Sequence, residues 1–246
     1  MARRTITDAI VVLAGALALA GCGGIIPSAS APSGYSSSSS ARPTSTGVRP
    51  ASAQRTISSP QQATPRHSDR TCLAQLNESG ANFTPLPDSY DAPGCNQLGT
   101  VQLSALSGDL SQFGISNIGP VQCKTAATFN GWVRFGVDRA ARQILGSPLA
   151  RVETMGSYSC RNVAGSERRS AHARAAAIDV SGFVLADGRR IVLQSDWDGG
   201  TAAEREFLRV VHRSACKRFG TVLGPNYNPA HKDHFHLEES DSKFCR

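Results

Sequence analysis

AAIDVSGFVL (residues 176–185), ADG (186–188) and RRIVLQSDW (189–197) follow one another without a break. The outer segments carry β-branched and apolar residues, and Asp-Gly between them is a strong turn signal. They read as a β-hairpin. Working outward, LARVETMGSY (149–158) looks like a further strand and HKDHFHLEE (231–239) like a final one. Between them lie two helical patterns. Phe129, Trp132, Val133, Gly136, Ala140 and Ile144 recur at three- and four-residue spacing across 125–145, with Thr125 as cap and Gly146 as stop. Over 201–219, Thr201 and Glu204 form a capping box, Phe207, Leu208, Val211 and Ala215 supply an apolar face, and Gly220 follows. Residues 72–100 are rich in Pro, Gly, Asn and Asp and read as an irregular lead-in held by cysteines. Helices and strands in separate blocks predict an α+β fold, an antiparallel sheet packed by helices.

The hairpin holds one residue that does not belong in a buried strand. Asp179 sits among Ala, Ile, Val and Phe, where an ionised carboxylate is costly unless a cation or donors compensate it. On a strand it can instead share a solvent face with Ser181. Seven residues earlier stands His172, and half of the six histidines of the chain crowd into HKDHFH (231–236): His231, His234 and His236. His234 and His236 alternate onto one face of a strand. Two imidazoles and a carboxylate, with a fourth position left to water, make the usual layout of a catalytic zinc site. The bland reading of His231 and Lys232 is a solvated loop. His212 reads as a surface or packing residue of its helix. Trp132 and Trp197 read as core or cleft wall, with Trp197 the better candidate for a sugar platform.

The first 70 residues have a different character. Arg3 and Arg4 precede an apolar run, Ala9 to Ala20, too short for a bilayer span and suited to a signal-peptide core. Leu19-Ala20-Gly21-Cys22 resembles a bacterial lipobox, which predicts a signal peptide over 1–21 and lipidation of Cys22. Ser, Pro, Ala and Thr dominate up to about Arg70, so 22–70 reads as a disordered linker. The folded part is then 71–246, long enough to bury its own core. Net positive charge is concentrated in the leading segment, which has few acidic residues. Residues 1–70 hold seven Arg and two Asp, a net +5, whereas 71–246 hold 19 basic and 17 acidic residues, a net +2. The high isoelectric point therefore does not indicate a nucleic-acid partner.

Seven cysteines occur; setting Cys22 aside for lipid leaves Cys72, Cys95, Cys123, Cys160, Cys216 and Cys245. An even number in an exported domain predicts three disulfides, with the pairing open. Structural zinc is the competing use, but no C-x-x-C pair occurs.

Together SYSCRN (157–162), RRSAHARAAAIDVSGFVLADGRRI (168–191) and HKDHFHLE (231–238) resemble the bacterial extensin-like C-terminal domain family. H-x(6)-D followed by H-x-H is also shared by D-alanyl-D-alanine peptidases, murein endopeptidases and the hedgehog signalling domain. The resemblance implies one zinc ion held by His172, Asp179 and His236. It implies His234 as base or orienting group, with His231 supporting. Asp233 stands where the dipeptidase branch has a glutamate, which leaves the base open between His234 and Asp233. Arg161 is the loose counterpart of a substrate-binding arginine, its alternative role being a salt bridge near Cys160. The implied function is a zinc-dependent peptidase or amidase acting on peptidoglycan peptides. The expected setting is a monomeric lipoprotein on the outer membrane, facing the periplasm. A non-catalytic wall-binding module and a metal-storing lipoprotein are the competing functions.

Overall fold

The computed structural model describes residues 67–246. The signal peptide, Cys22 and nearly all of the expected linker lie outside the described residues. In chain order the elements are α1 (His67–Glu78), β1 (Asn82–Pro85), β2 (Ser89–Ala92), β3 (Cys95–Gln97), β4 (Thr100–Ser107), β5 (Gln112–Ser116), β6 (Pro120–Gln122), α2 (Cys123–Trp132), β7 (Leu149–Gly156), β8 (Ala177–Leu185), β9 (Arg190–Val192), α3 (Leu193–Gly199), α4 (Ala202–Cys216), β10 (Thr221–Leu223), β11 (Phe235–Glu238) and β12 (Phe244–Cys245). Helix is present already at His67, inside the span expected as linker. The expected irregular lead-in holds most of α1 and three short strands. Their Pro and Gly punctuate elements too short for a periodic signal.

The α+β class holds, but the sheet is mixed rather than antiparallel. Its main path runs β1-β4-β5-β7-β8-β11-β10-β12, with β6 on β4 and β9 on β8, and a separate ribbon pairs β2 with β3. The β5–β7 and β10–β12 pairs are parallel. Between β5 and β7 the chain passes through α2, and a helical crossover returns the second strand in the direction of the first.

The helix expected over 125–145 begins as α2 and continues through wide π-helical turns, Val133–Asp138 and Ala141–Leu145. It ends at Gly146, whose φ of 71° is the left-handed C-cap expected there. Thr125 is not the cap. Gln122 precedes the first turn, and Thr125 is buried inside it. On α4 the capping box forms: Thr201 Oγ1 accepts from Glu204 N at 3.3 Å and Thr201 N donates to Glu204 Oε2 at 2.7 Å. Trp132, fully buried, donates from its indole to Val211 O and packs against Phe129, Phe183 and Phe219. The hairpin of β8 and β9 also forms, but the second segment leaves the sheet at Leu193 and becomes α3. Asp196 accepts from Val192 N at 2.7 Å, tying the first turn, and Trp197 is buried.

β8 lies inside the sheet, paired to β7 and β11. Its register against β7 slips between Val180 and Gly182, so Ser181 is the extra residue of a bulge. That slip lets Ile178 and Val180 on one side of it, and Phe183 and Leu185 on the other, all reach the same core. Asp179, flanked by Ile178 and Val180, therefore faces the opposite side of the sheet. β11 obeys the same rule, with Phe235 and Leu237 in the core and His236 and Glu238 on Asp179's side.

All six described cysteines pair: Cys72–Cys123, Cys95–Cys160 and Cys216–Cys245. These join α1 to α2, β3 to the loop after β7, and α4 to β12. Among the described residues no helix is long and apolar enough to cross a membrane.

Candidate metal centre

Antiparallel pairing of β8 with β11 sets Asp179 directly opposite His236. His172 arrives from a 3-10 turn, Ala171–Arg174, that packs beside β8. Ser170 caps that turn by accepting from His172 N, and Ala175 reverses the chain with a φ of 55°. The three side chains converge. His172 Nε2 lies 3.1 Å from His236 Nδ1 and 3.2 Å from Asp179 Oδ2, and His236 Nδ1 lies 3.0 Å from Asp179 Oδ1. They are 3%, 7% and 9% exposed, so the cluster meets solvent only at its edge.

The outer partners decide which nitrogens are bare. His172 Nδ1 is 3.0 Å from Ser157 O. A carbonyl only accepts, so that nitrogen carries hydrogen and a neutral His172 turns a lone pair from Nε2 to the centre. His236 Nε2 is 3.3 Å from Glu238 Oε2. By the same reasoning a neutral His236 turns its Nδ1 lone pair inward. Two lone pairs and a carboxylate facing one another at about 3 Å repel unless a positive charge joins them. Imidazoles that bind metal usually have such a carbonyl or carboxylate behind them, which fixes the tautomer and aims the bare nitrogen. Four-coordinate zinc, with bonds of about 2.0–2.1 Å, holds its ligand atoms roughly 3.3 Å apart. The donor set therefore suits a divalent ion of that size.

Without metal, protons supply the charge. Burial pulls His236 down, but its hydrogen bonds to Asp179 and Glu238 outweigh that and raise it to about 9. Burial likewise opposes ionisation of Asp179, yet the hydrogen bonds with His172 and His236 hold it far below the usual carboxylate range. The hydrogen bond from His236 also lowers Glu238.

A family model for the extensin-like protein C-terminus matches residues 70–246. The chain belongs to that family. No curated protein and no solved structure gives a match.

The extensin-like domain also brings His231 and His234 to this edge. His234 Nε2 faces Asp179 Oδ1 at 3.7 Å, while its Nδ1 donates to Asp233 Oδ1 at 2.8 Å. Asp233 thus stands behind His234 rather than beside the three donors. His231 packs its ring 5.1 Å from that of His234 and 5.9 Å from that of His236, and Asn228 Oδ1 holds its Nδ1 at 2.7 Å. Burial, then the neighbouring imidazoles, lowers His231 to about 4, so it is neutral at pH 7. It belongs to the cluster rather than to a solvated loop. Arg161 is exposed, its charge felt at His231, and among the described residues it has no ion-pair partner near Cys160.

Sequence reasoning missed Glu238 and the carbonyl of Ser157. Glu238 carries a readable signal, two residues beyond His236 on the same strand face. Ser157 carries none, because a backbone acceptor has no side-chain signature. Trp197 is 4% exposed, with the Arg209 guanidinium 3.4 Å above its ring, so it offers no free platform. His212 packs on Trp197 and Phe235 as a structural residue. His212, Cys216 and Cys245 also cluster, but both sulfurs are spent in a disulfide. A cavity of about 640 Å³ lies elsewhere, between α1 and the start of α2, lined by Gln75, Gln122 and Lys124, and contains none of the histidines.

Proposed function

We propose that the domain is a zinc-dependent hydrolase of amide bonds in peptidoglycan peptides, carried on a lipid-anchored, exported chain. The observation that carries the reading is the pair of imidazoles, each with its inner nitrogen bared by an acceptor behind it, closing on one carboxylate. His172, Asp179 and His236 are the residues to hold zinc. The ion would supply Lewis acidity, polarising an amide carbonyl and lowering the pKa of water to about 7.

The chain's own residues divide the remaining work. His234, its Nδ1 tied to Asp233, presents Nε2 at the edge of the donor set and is placed to take a proton from water and return it to the leaving amine. Asp233 fixes the tautomer and ring orientation of His234. On this reading His234 is the base and Asp233 its positioning partner, which the 2.8 Å contact between them supports. His231, kept neutral, backs the His234 ring without adding charge. Arg161, exposed and with a charge that acts on His231, is the residue we assign to bind a substrate carboxylate bidentately. Near-closure of the cluster limits competing water. Likeness of H-x(6)-D and H-x-H to the signature of zinc peptidases supports the reaction class. The lipobox-like Leu-Ala-Gly-Cys and the long Ser/Pro-rich segment support delivery to the cell wall, with the outer membrane as the favoured anchor.

His234→Ala tests the reaction. Turnover of a wall peptide should fall about a hundredfold or more while bound zinc is retained. Unchanged cleavage would remove His234 from the mechanism. No cleavage by the zinc-loaded parent protein would leave a wall-binding module.

A further inference from the structure

We propose that Tyr227 and Phe244 form a sugar-binding wall beside the metal centre, seating the glycan that bears the peptide. The substrate side of this inference rests on the hydrolase reading above. A line of rings leads outward from the donor set. His236 and His231 have centroids 5.9 Å apart, His231 and Tyr227 5.4 Å, and Tyr227 and Phe244 5.8 Å. The last two rings are 42% and 40% exposed. They meet at 82°, making a corner rather than a flat stack. The Arg246 guanidinium lies over one face of the Phe244 ring, 5.5 Å from its centroid; unlike buried Trp197, Phe244 keeps 40% of its surface exposed beside it.

Neither ring is loosely held. Tyr227 N donates to Gly224 O, and the residues on both sides are anchored. Asn226 Oδ1 accepts from the Trp197 indole, and Asn228 Oδ1 accepts from Ala230 N and from the His231 ring. Phe244 lies in β12, bonded to β10 through Phe244 N to Gly220 O and Arg246 N to Val222 O. Cys245, next in the chain, is tied to Cys216. The fold therefore fixes two large aromatic side chains in a position where they remain half wet. Packing does not require that, and rigid exposed aromatics next to a reaction centre favour binding because little entropy is lost on contact. Half-exposed aromatic surface with a hydroxyl and a guanidinium beside it suits a pyranose, with C–H faces and hydroxyl edges. A purely aliphatic group would be better met by Leu or Ile. The side chain of Asn228 serves both the loop and His231, so the wall and the site are built as one piece.

The test is calorimetric titration of the full chain with a peptide-free oligomer of alternating N-acetylglucosamine and N-acetylmuramic acid, in zinc-loaded and chelator-treated samples. Zinc content, melting temperature and cleavage of a sugar-free wall peptide are measured on the same preparations. Expected is sugar binding with or without zinc, weakened about three- to tenfold by Tyr227→Ala and by Phe244→Leu. Leu110→Ala, an exposed apolar control, should leave it unchanged. No binding at millimolar sugar, or binding that both folded variants retain in full, would overturn the wall. Sugar binding with no zinc and no cleavage would overturn the hydrolase reading and leave the wall standing. Cleavage without sugar binding would do the reverse.

Discussion

His236 is a point where a proton and the proposed metal would compete for the same atom. Its Nδ1 faces Asp179 and its Nε2 faces Glu238, and in the metal-free protein the ring holds a proton up to about pH 9. If zinc binds as proposed it would displace that proton, so affinity should rise with pH from 6 towards 9, as isothermal titration at several pH values would show. Stability follows with a definite sign. The folded value lies above the unfolded 6.5, so its contribution is complete below about pH 6.5 and is lost as pH rises through 9. The melting temperature of the metal-free chain should fall across that window, and zinc should remove the fall. Glu238→Gln weakens the orientation of His236 without touching a donor, and should cost roughly 10- to 100-fold in metal affinity. The converging three are legible in the sequence through the resemblance, in H-x(6)-D and H-x-H; the residues alone left Asp179 open between a site and a solvent face shared with Ser181. Glu238 is half legible, from strand alternation. Ser157 is not, because its contribution is a carbonyl oxygen placed by the turn at the end of β7.

Elements show where local pattern suffices and where it does not. The Thr201–Glu204 box is written in adjacent residues and forms as read. The α2 helix reads correctly in extent, yet its start is set by the Gln122–Cys123 junction rather than by Thr125. Ile191-Val192-Leu193 suits a strand or a buried helix start equally, and the choice for α3 is made by Asp196 reaching back to Val192 N and by burial of Trp197. The bulge at Ser181 is invisible in the composition of β8, though it puts Asp179 on the site face while keeping Phe183 in the core. Gly182 follows it, and a Cβ there would meet Ile191 O at 2.8 Å. Gly182→Ala should therefore destabilise the fold by roughly 1–3 kcal/mol, read by denaturant unfolding, because backbone of β9 must shift to admit it.

On the scale of the whole molecule, the sheet separates two tasks. One face carries the helices and the aromatic core, and the other carries the proposed metal donors at the centre of the strand order. The direction of the strands is the part least readable in advance. A crossover through α2 and the parallel seating of β12 are long-range pairings with no local mark. That cysteines pair is legible from an even count, but which ones meet depends on topology. The three bridges close loops of 51, 65 and 29 residues, and Cys95–Cys160 braces the loop whose Ser157 orients His172. Cys95→Ser/Cys160→Ser should lower unfolding free energy by roughly 2–5 kcal/mol and loosen bound metal, measured by denaturant titration and chelator competition.

Metal content of the purified protein, by elemental mass spectrometry, tests the central claim most directly, with His172→Ala and His236→Ala alongside. The account predicts about one zinc per chain, absent from both variants while their circular dichroism stays that of a folded domain. A parent protein that binds no metal even when zinc is supplied, or folded variants that keep it, would contradict the account.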